Sequence, residues 1–140
     1  MTRYVTSVRM DNASAVHMLE HASRVLPEEC VGFLAGIGTN VSLVIPLPNS
    51  AGQKNFFVEP YDQYFAEKQM KENQLELIAI YHSHPQGCAC LSETDLYFAK
   101  RWDCIQIVIA IAAGNDPSTE VKAFRLLPAH GPTEIPIVID

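Results

Sequence analysis

The sequence predicts an α/β fold, with helices packed on the faces of a sheet. Three observations point there. Apolar runs of strand length recur at residues 29–36, 75–82 and 105–112. Segments whose apolar residues follow helical spacing lie between them, near 12–26 and 61–73. The two kinds of segment are mixed along 140 residues without a repeat, linker or low-complexity stretch, so one domain spanning 1–140 accommodates them all.

Residues 3–9 alternate weakly, as a short edge strand or a lead-in would. Asp11 and Asn12 are N-cap types. Ala15, Met18, Leu19, Ala22, Val25 and Leu26 follow at helical spacing, so a helix runs to about Leu26 and Pro27 ends it. Glu29 to Gly36 is apolar without alternation, the pattern of a strand covered on both faces. Gly36-Ile37-Gly38-Thr39-Asn40 reads as a hairpin turn, and Val41 to Leu47 as the returning strand, stopped by Pro48-Asn49. A polar loop, Asn49 to Lys54, leads to a short strand, Phe56-Phe57-Val58. Pro60 suits the first turn of a second helix, about Tyr61 to Asn73, with Tyr64, Phe65, the alkyl stem of Lys68 and Gln69 near one face. Leu75 to His82 is the third long strand, and a helix follows from Ser92 to about Trp102. Ile105 to Ala112 is a strand that is apolar but for Gln106, and Val121 to Leu127 an alternating one. Ile135 to Ile139 is either a last strand or a loose tail.

Composition narrows the function classes. A net charge of -6 with no visible basic face argues against nucleic acid as a partner. The apolar run Ile105 to Ala113, interrupted by Gln106, is strand-sized and too short to cross a membrane. Met1-Thr2-Arg3-Tyr4 lacks the apolar core of a secretory signal, which points to a cytoplasmic protein. In that compartment the four cysteines need no disulfide. Cys30 and Cys104 lie in apolar runs and read as small core residues.

The chemistry concentrates in Tyr81-His82-Ser83-His84-Pro85 and, after a loop, Ser92-Glu93-Thr94-Asp95. Side chains alternate along a strand, so His82 and His84 project to one side and Ser83 to the other. Pro85 ends the strand, which puts the pair at a sheet end open to substrate. Asp95, one turn into the next helix, can face back across the loop. Two imidazoles and a carboxylate are ligands of the kind a catalytic zinc takes, with its fourth position left to water. Taken alone, a His-x-His pair is equally a polar pair at a strand end, and Ser92 with Asp95 is equally a capping box.

Two separated segments together carry a family resemblance. His82-Ser83-His84-Pro85, then Ser92 and Asp95, resembles the JAMM motif of the MPN-domain metalloproteases. Pro27-Glu28-Glu29-Cys30-Val31-Gly32, followed by Phe33-Leu34-Ala35-Gly36, is similar to the segment that supplies that family's upstream glutamate. The match falls on Glu29; alternation does not choose between Glu28 and Glu29, because both faces of the strand are apolar. The resemblance implies an MPN-domain, cytidine-deaminase-like α-β-α sandwich, a mixed sheet flanked by helices. It implies one Zn2+ per chain held by His82, His84 and Asp95, Glu29 as general acid/base on a water nucleophile, and Ser92 stabilising the oxyanion. The implied substrate is a ubiquitin-like or sulfur-carrier protein cut after its terminal Gly-Gly. The short chain leaves little room for ubiquitin-gripping insertions and favours the minimal prokaryotic type. A homodimer is left open. The alternative is a non-catalytic MPN scaffold that binds partner proteins; the presence of every motif residue argues against it.

Three other constellations compete. His17-Met18-Leu19-Glu20-His21 spells the inverted zinc-protease signature. However, His17, Glu20, His21 and Arg24 form a polar stripe opposite the apolar positions, as a solvated helix face would. Cys88 and Cys90 are either metal or redox thiols or, as preferred here, small residues of a compact loop. A cytidine-deaminase site is excluded, because His84 stands where that signature has Glu and no Pro-Cys-x-x-Cys occurs. His130, in a loop beside Gly131-Pro132, carries no signal.

Overall fold

Asp11 caps the first helix: its side chain accepts a 2.7 Å hydrogen bond from the Ser14 amide. The computed structural model describes residues 7–51, 57–85, 87–99, 102–111, 119–127 and 131–140. In chain order the elements are β1 (Val8–Met10), α1 (Asn12–Arg24), β2 (Val31–Ile37), β3 (Asn40–Leu47), α2 (Pro60–Glu72), β4 (Glu76–Pro85), α3 (Glu93–Ala99), β5 (Ile105–Ile111), β6 (Thr119–Leu127), β7 (Gly131–Ile135) and β8 (Ile137–Ile139). The strands form one mixed sheet of order β7-β6-β5-β4-β2-β3-β1-β8. β4 runs antiparallel to β2 and parallel to β5, so it lies at the centre of the sheet.

The sheet buries both faces, as the apolar run of β2 and that of β5, interrupted only by the buried Gln106, require. On one side α1 sets Ala15, Met18 and Ala22 against Leu34, Ala79, Tyr81, Ile107 and Ile109. On the other, α2 sets Ala66 and Met70 against Val31, Phe33, Ile80 and Leu47. Alternation along β4 and β2 therefore puts His82 and Val31 on the α2 side, and Tyr81 and Leu34 on the α1 side. Gly38, with φ 66°, takes the first central position of the β2–β3 hairpin, where an L side chain is strained.

Several expectations need correction. Phe57 and Val58 are not a strand. The Asn49 side chain accepts the Phe57 amide at 3.0 Å and Ser50 N–H donates to the Phe57 carbonyl, so the loop satisfies that backbone itself. The inward face of α2 is Ala66 and Met70; Tyr64, Phe65, Lys68 and Gln69 are exposed, and the aromatics pack on one another, Tyr61 to Phe65 at 4.7 Å and Tyr64 to Phe65 at 5.7 Å between centroids. Trp102 lies outside any helix and packs edge-on against Phe33, so its apolar signal marked a core contact. The tail forms two strands, not one. β7 pairs with β6 at one end of the sheet and β8 pairs with β1 at the other, with Pro136 alone between them. The two flanks of the sheet must therefore curl towards each other. His130 lies outside the described residues.

His21 also departs from its expected place. It is buried rather than on a solvated stripe, and its Nδ1 lies 2.6 Å from the Tyr81 hydroxyl. Gly32 makes room for that ring: a Cβ there would overlap Tyr81. His17 and Glu20 stay exposed, so the helix does not gather an ion site. Burial, helped by Arg24 and His17, pushes His21 down to about 4 from the usual 6.5. A base whose pKa falls on folding stabilises the fold above its unfolded pKa and loses that contribution as pH falls from 6.5 towards 4. Metal-free protein is therefore expected to lose about 2–3 kcal/mol of stability from this residue over that range. Urea unfolding at both pH values, compared with His21→Gln, checks it: the variant should show a flatter pH dependence by that amount.

Candidate metal centre

β4 carries His82 and His84 to one end of the sheet, and the turn after it returns α3 across that end. His82 Nε2 and His84 Nε2 lie 3.1 Å apart. Asp95 Oδ2 lies 3.1 Å from the first and 3.0 Å from the second. Two imidazole nitrogens and a carboxylate oxygen thus meet at one point, where they repel unless a proton or cation sits among them. Zinc donors at about 2.0–2.1 Å in a tetrahedral arrangement lie about 3.3 Å apart. The observed triangle is close to that size, so the donor set fits such an ion.

The supporting contacts agree with that chemistry. His84 Nδ1 lies 2.9 Å from the Cys88 carbonyl, which places the ring N–H there and leaves Nε2 as the donor atom. Ser92 and Asp95 form the reciprocal cap that their spacing suggested: Asp95 N–H donates to Ser92 Oγ at 3.0 Å, and Ser92 N–H donates to Asp95 Oδ2 at 2.9 Å. Burial opposes ionisation of Asp95, but the hydrogen bonds from His82 and His84 outweigh it and hold the carboxyl far below the usual carboxylate range. Burial lowers the pKa of His82, whereas the hydrogen bond to Asp95 raises that of His84.

Glu29 arrives from the other side of the sheet centre. The register pairs Val31 with His82, and Ser83 N–H donates to the Cys30 carbonyl at 3.1 Å, which carries the β2–β4 pairing one residue further. A Glu29 carboxylate oxygen and the two imidazole nitrogens all lie within 4.8 Å of one another. Glu28 is exposed and Glu29 buried, which separates the two acids that the sequence left open. Burial pushes the Glu29 carboxyl up to about 7; His84 pulls it down and Asp95 pushes it up. The structure therefore gathers Glu29, His82, His84, Asp95 and the exposed Ser92 at one sheet end. Two partners and one bond were not foreseen from the residues. Asn49 Nδ2 donates to the Glu29 carbonyl at 2.9 Å, and the Cys88 carbonyl contacts His84. Cys88 and Cys90, read from the sequence as small residues of a compact loop in preference to a metal or redox pair, are bonded to each other. Pro48-Asn49 at a strand end was the one available signal.

A family model described as prokaryotic homologs of the JAB domain, Prok-JAB, matches residues 12–127. The chain belongs to the Prok-JAB family. Its relatives include a Thermus thermophilus protein named as a probable TtuB-protein conjugate cleaving protease, 40% identical over 108 residues, covering 76% of this chain and 67% of that one. A Mycobacterium tuberculosis protein named CysO-cysteine peptidase is 29% identical over 130 residues, covering 90% of this chain and 86% of that one. Among solved structures, protein DSY2949 from Desulfitobacterium hafniense superposes with a TM-score of 0.78 at 28% identity, covering 95% of this chain and 92% of that one. AF2198, a JAB1/MPN domain protein from Archaeoglobus fulgidus, does so with a TM-score of 0.61 at 19% identity, covering 94% and 99%. The expected MPN α-β-α sandwich is thus the observed fold, and this Prok-JAB chain stands among hydrolases of the peptidase type.

Proposed function

We propose that the protein is a zinc-dependent peptidase or isopeptidase that cuts after the C-terminal Gly-Gly of a sulfur-carrier or related ubiquitin-like protein. The observation that carries this reading is the convergence of His82 Nε2, His84 Nε2 and Asp95 Oδ2 within 3.0–3.1 Å of one another, with the buried Glu29 beside them. In this reading those three residues hold one zinc. When bound, the metal supplies a Lewis acid and lowers the pKa of water towards about 7.

The chain's own groups do the rest. Glu29 takes a proton from the attacking water and passes it to the leaving amine. A carboxyl pushed up to about 7 is matched to accepting and releasing a proton near neutral pH. Ser92 Oγ already accepts from the Asp95 amide, so its own proton is available to an oxyanion at the exposed rim. Water is the nucleophile and no acyl-enzyme forms. The relatives' names, a TtuB-conjugate cleaving protease and a CysO-cysteine peptidase, support a carrier-protein conjugate as substrate.

Protein purified without chelators should contain about one equivalent of zinc per chain. Incubated with a carrier protein extended beyond Gly-Gly, it should release the extension, and the intact mass of the product should end at Gly-Gly. Protein without zinc that leaves such carriers uncut overturns the reading. A further expectation concerns the Cys88–Cys90 loop, whose carbonyl orients His84. The double variant Cys88→Ser/Cys90→Ser should hold zinc roughly tenfold more weakly, because contacts that orient a ligand commonly contribute that much. Competition with a chromophoric chelator measures it.

A further inference from the structure

Glu29 precedes β2, so no ladder of its own fixes the direction of its side chain. The peptide unit that follows it is held at both ends. Its carbonyl, that of Glu29, accepts from Asn49 Nδ2 at 2.9 Å. Its N–H, that of Cys30, donates to Ser83 Oγ at 2.8 Å. Ser83 returns a second bond through its own N–H to the Cys30 carbonyl at 3.1 Å. Ser83 is fully buried and points to the face opposite His82 and His84, so it belongs to neither the donor set nor the rim. Asn49 is anchored in turn, since its Oδ1 accepts from the amides of Ala51 and Phe57.

Resting on the proposed reaction, we infer that Ser83 and Asn49 are positioning residues that clamp the Glu29–Cys30 peptide and thereby aim the Glu29 carboxylate at the site. Two bonds on opposite edges of one peptide plane fix its rotation, and that rotation sets where the preceding Cβ points. Ser83 sits between the two histidines in sequence, so the strand that presents the imidazoles also sets the acid beside them. The hydroxyl reaches across to Cys30, just ahead of β2, while its neighbours face the other way. Because misplacing a catalytic group by about 1 Å can cost up to a hundredfold in rate, loosening the clamp should lower turnover while leaving metal binding intact.

The test uses the full chain. Ser83→Ala and Asn49→Ala should each lower kcat tenfold or more, with KM within about threefold and zinc content and affinity at the parent level. Ser83→Thr keeps the oxygen and should recover most of the loss. In a Glu29→Gln background, neither alanine substitution should lower the residual rate further, because residues acting as a unit are not additive. Independently of activity, hydrogen exchange at the Cys30 amide of the folded, metal-free protein should quicken at least tenfold in Ser83→Ala, as it does when a protecting bond is lost. The inference is overturned by full kcat in Ser83→Ala, by a loss that adds to that of Glu29→Gln, or by weakened zinc binding that accounts for the lost rate. Should the zinc-loaded parent cut no carrier conjugate, the reaction assigned above fails. The clamp is then judged by amide exchange, and unchanged protection of Cys30 removes it.

Discussion

Glu29→Gln is expected to retain zinc at the parent level and to hydrolyse a carrier conjugate about 10²–10⁴-fold more slowly, the usual contribution of a positioned general base. The carboxamide keeps the volume of the acid and its buried place but accepts no proton at neutral pH. The three atoms that meet within 3.0–3.1 Å are contributed by His82, His84 and Asp95, so the donor set survives the change. In the parent, kcat/KM should rise with pH as Glu29 ionises, with a midpoint at or below about 7, since a cation beside the carboxylate favours its ionised form. Metal analysis paired with product masses makes the check. A variant that cleaves at the parent rate would show that another group takes the proton.

His84→Ala should lose metal and hydrolysis together. Binding energies of about 10–16 kcal/mol for four-donor zinc sites correspond to about 3 kcal/mol per donor, or roughly a hundredfold in affinity for each. His84 also reaches Asp95 at 3.0 Å, so its removal loosens the carboxylate it holds. The pair of variants separates two roles that a single inactive mutant cannot: zinc kept without turnover identifies the base, and zinc lost identifies a donor. Inactive Glu29→Gln that also lost its metal would move Glu29 into the donor set, an outcome its placement within 4.8 Å of both imidazole nitrogens makes worth measuring.

The sequence made the centre legible because its parts are local. His82 and His84 are two apart on one strand, and Ser92 with Asp95 is a single helix turn. The family pattern selected Glu29 over Glu28, and burial gives the physical distinction that alternation lacked. What stayed hidden depends on contacts between distant residues. Whether His21 faces solvent or core is decided by Tyr81, sixty residues away, and by the absence of a Cβ on Gly32. Helical spacing grouped Tyr64 and Phe65 near one face of α2 without showing which face meets the sheet. The sheet instead receives the smaller Ala66 and the flexible Met70. Asn49 read as a strand terminator, and nothing local shows that its amide reaches back to Glu29.

The run from β7 through Pro136 to β8 has a consequence of its own. A sheet ordinarily ends in two rims of unsatisfied backbone groups, each a template for a foreign strand. Here residues 131–139 occupy both rims, covering β6 with one half and β1 with the other. What remains outermost is a three-residue strand on one flank and, on the other, a five-residue strand interrupted by Pro132, both poor templates. Removal of residues 131–139 would bare both rims at once, so this short belt closes the domain's edges while standing apart from its chemistry.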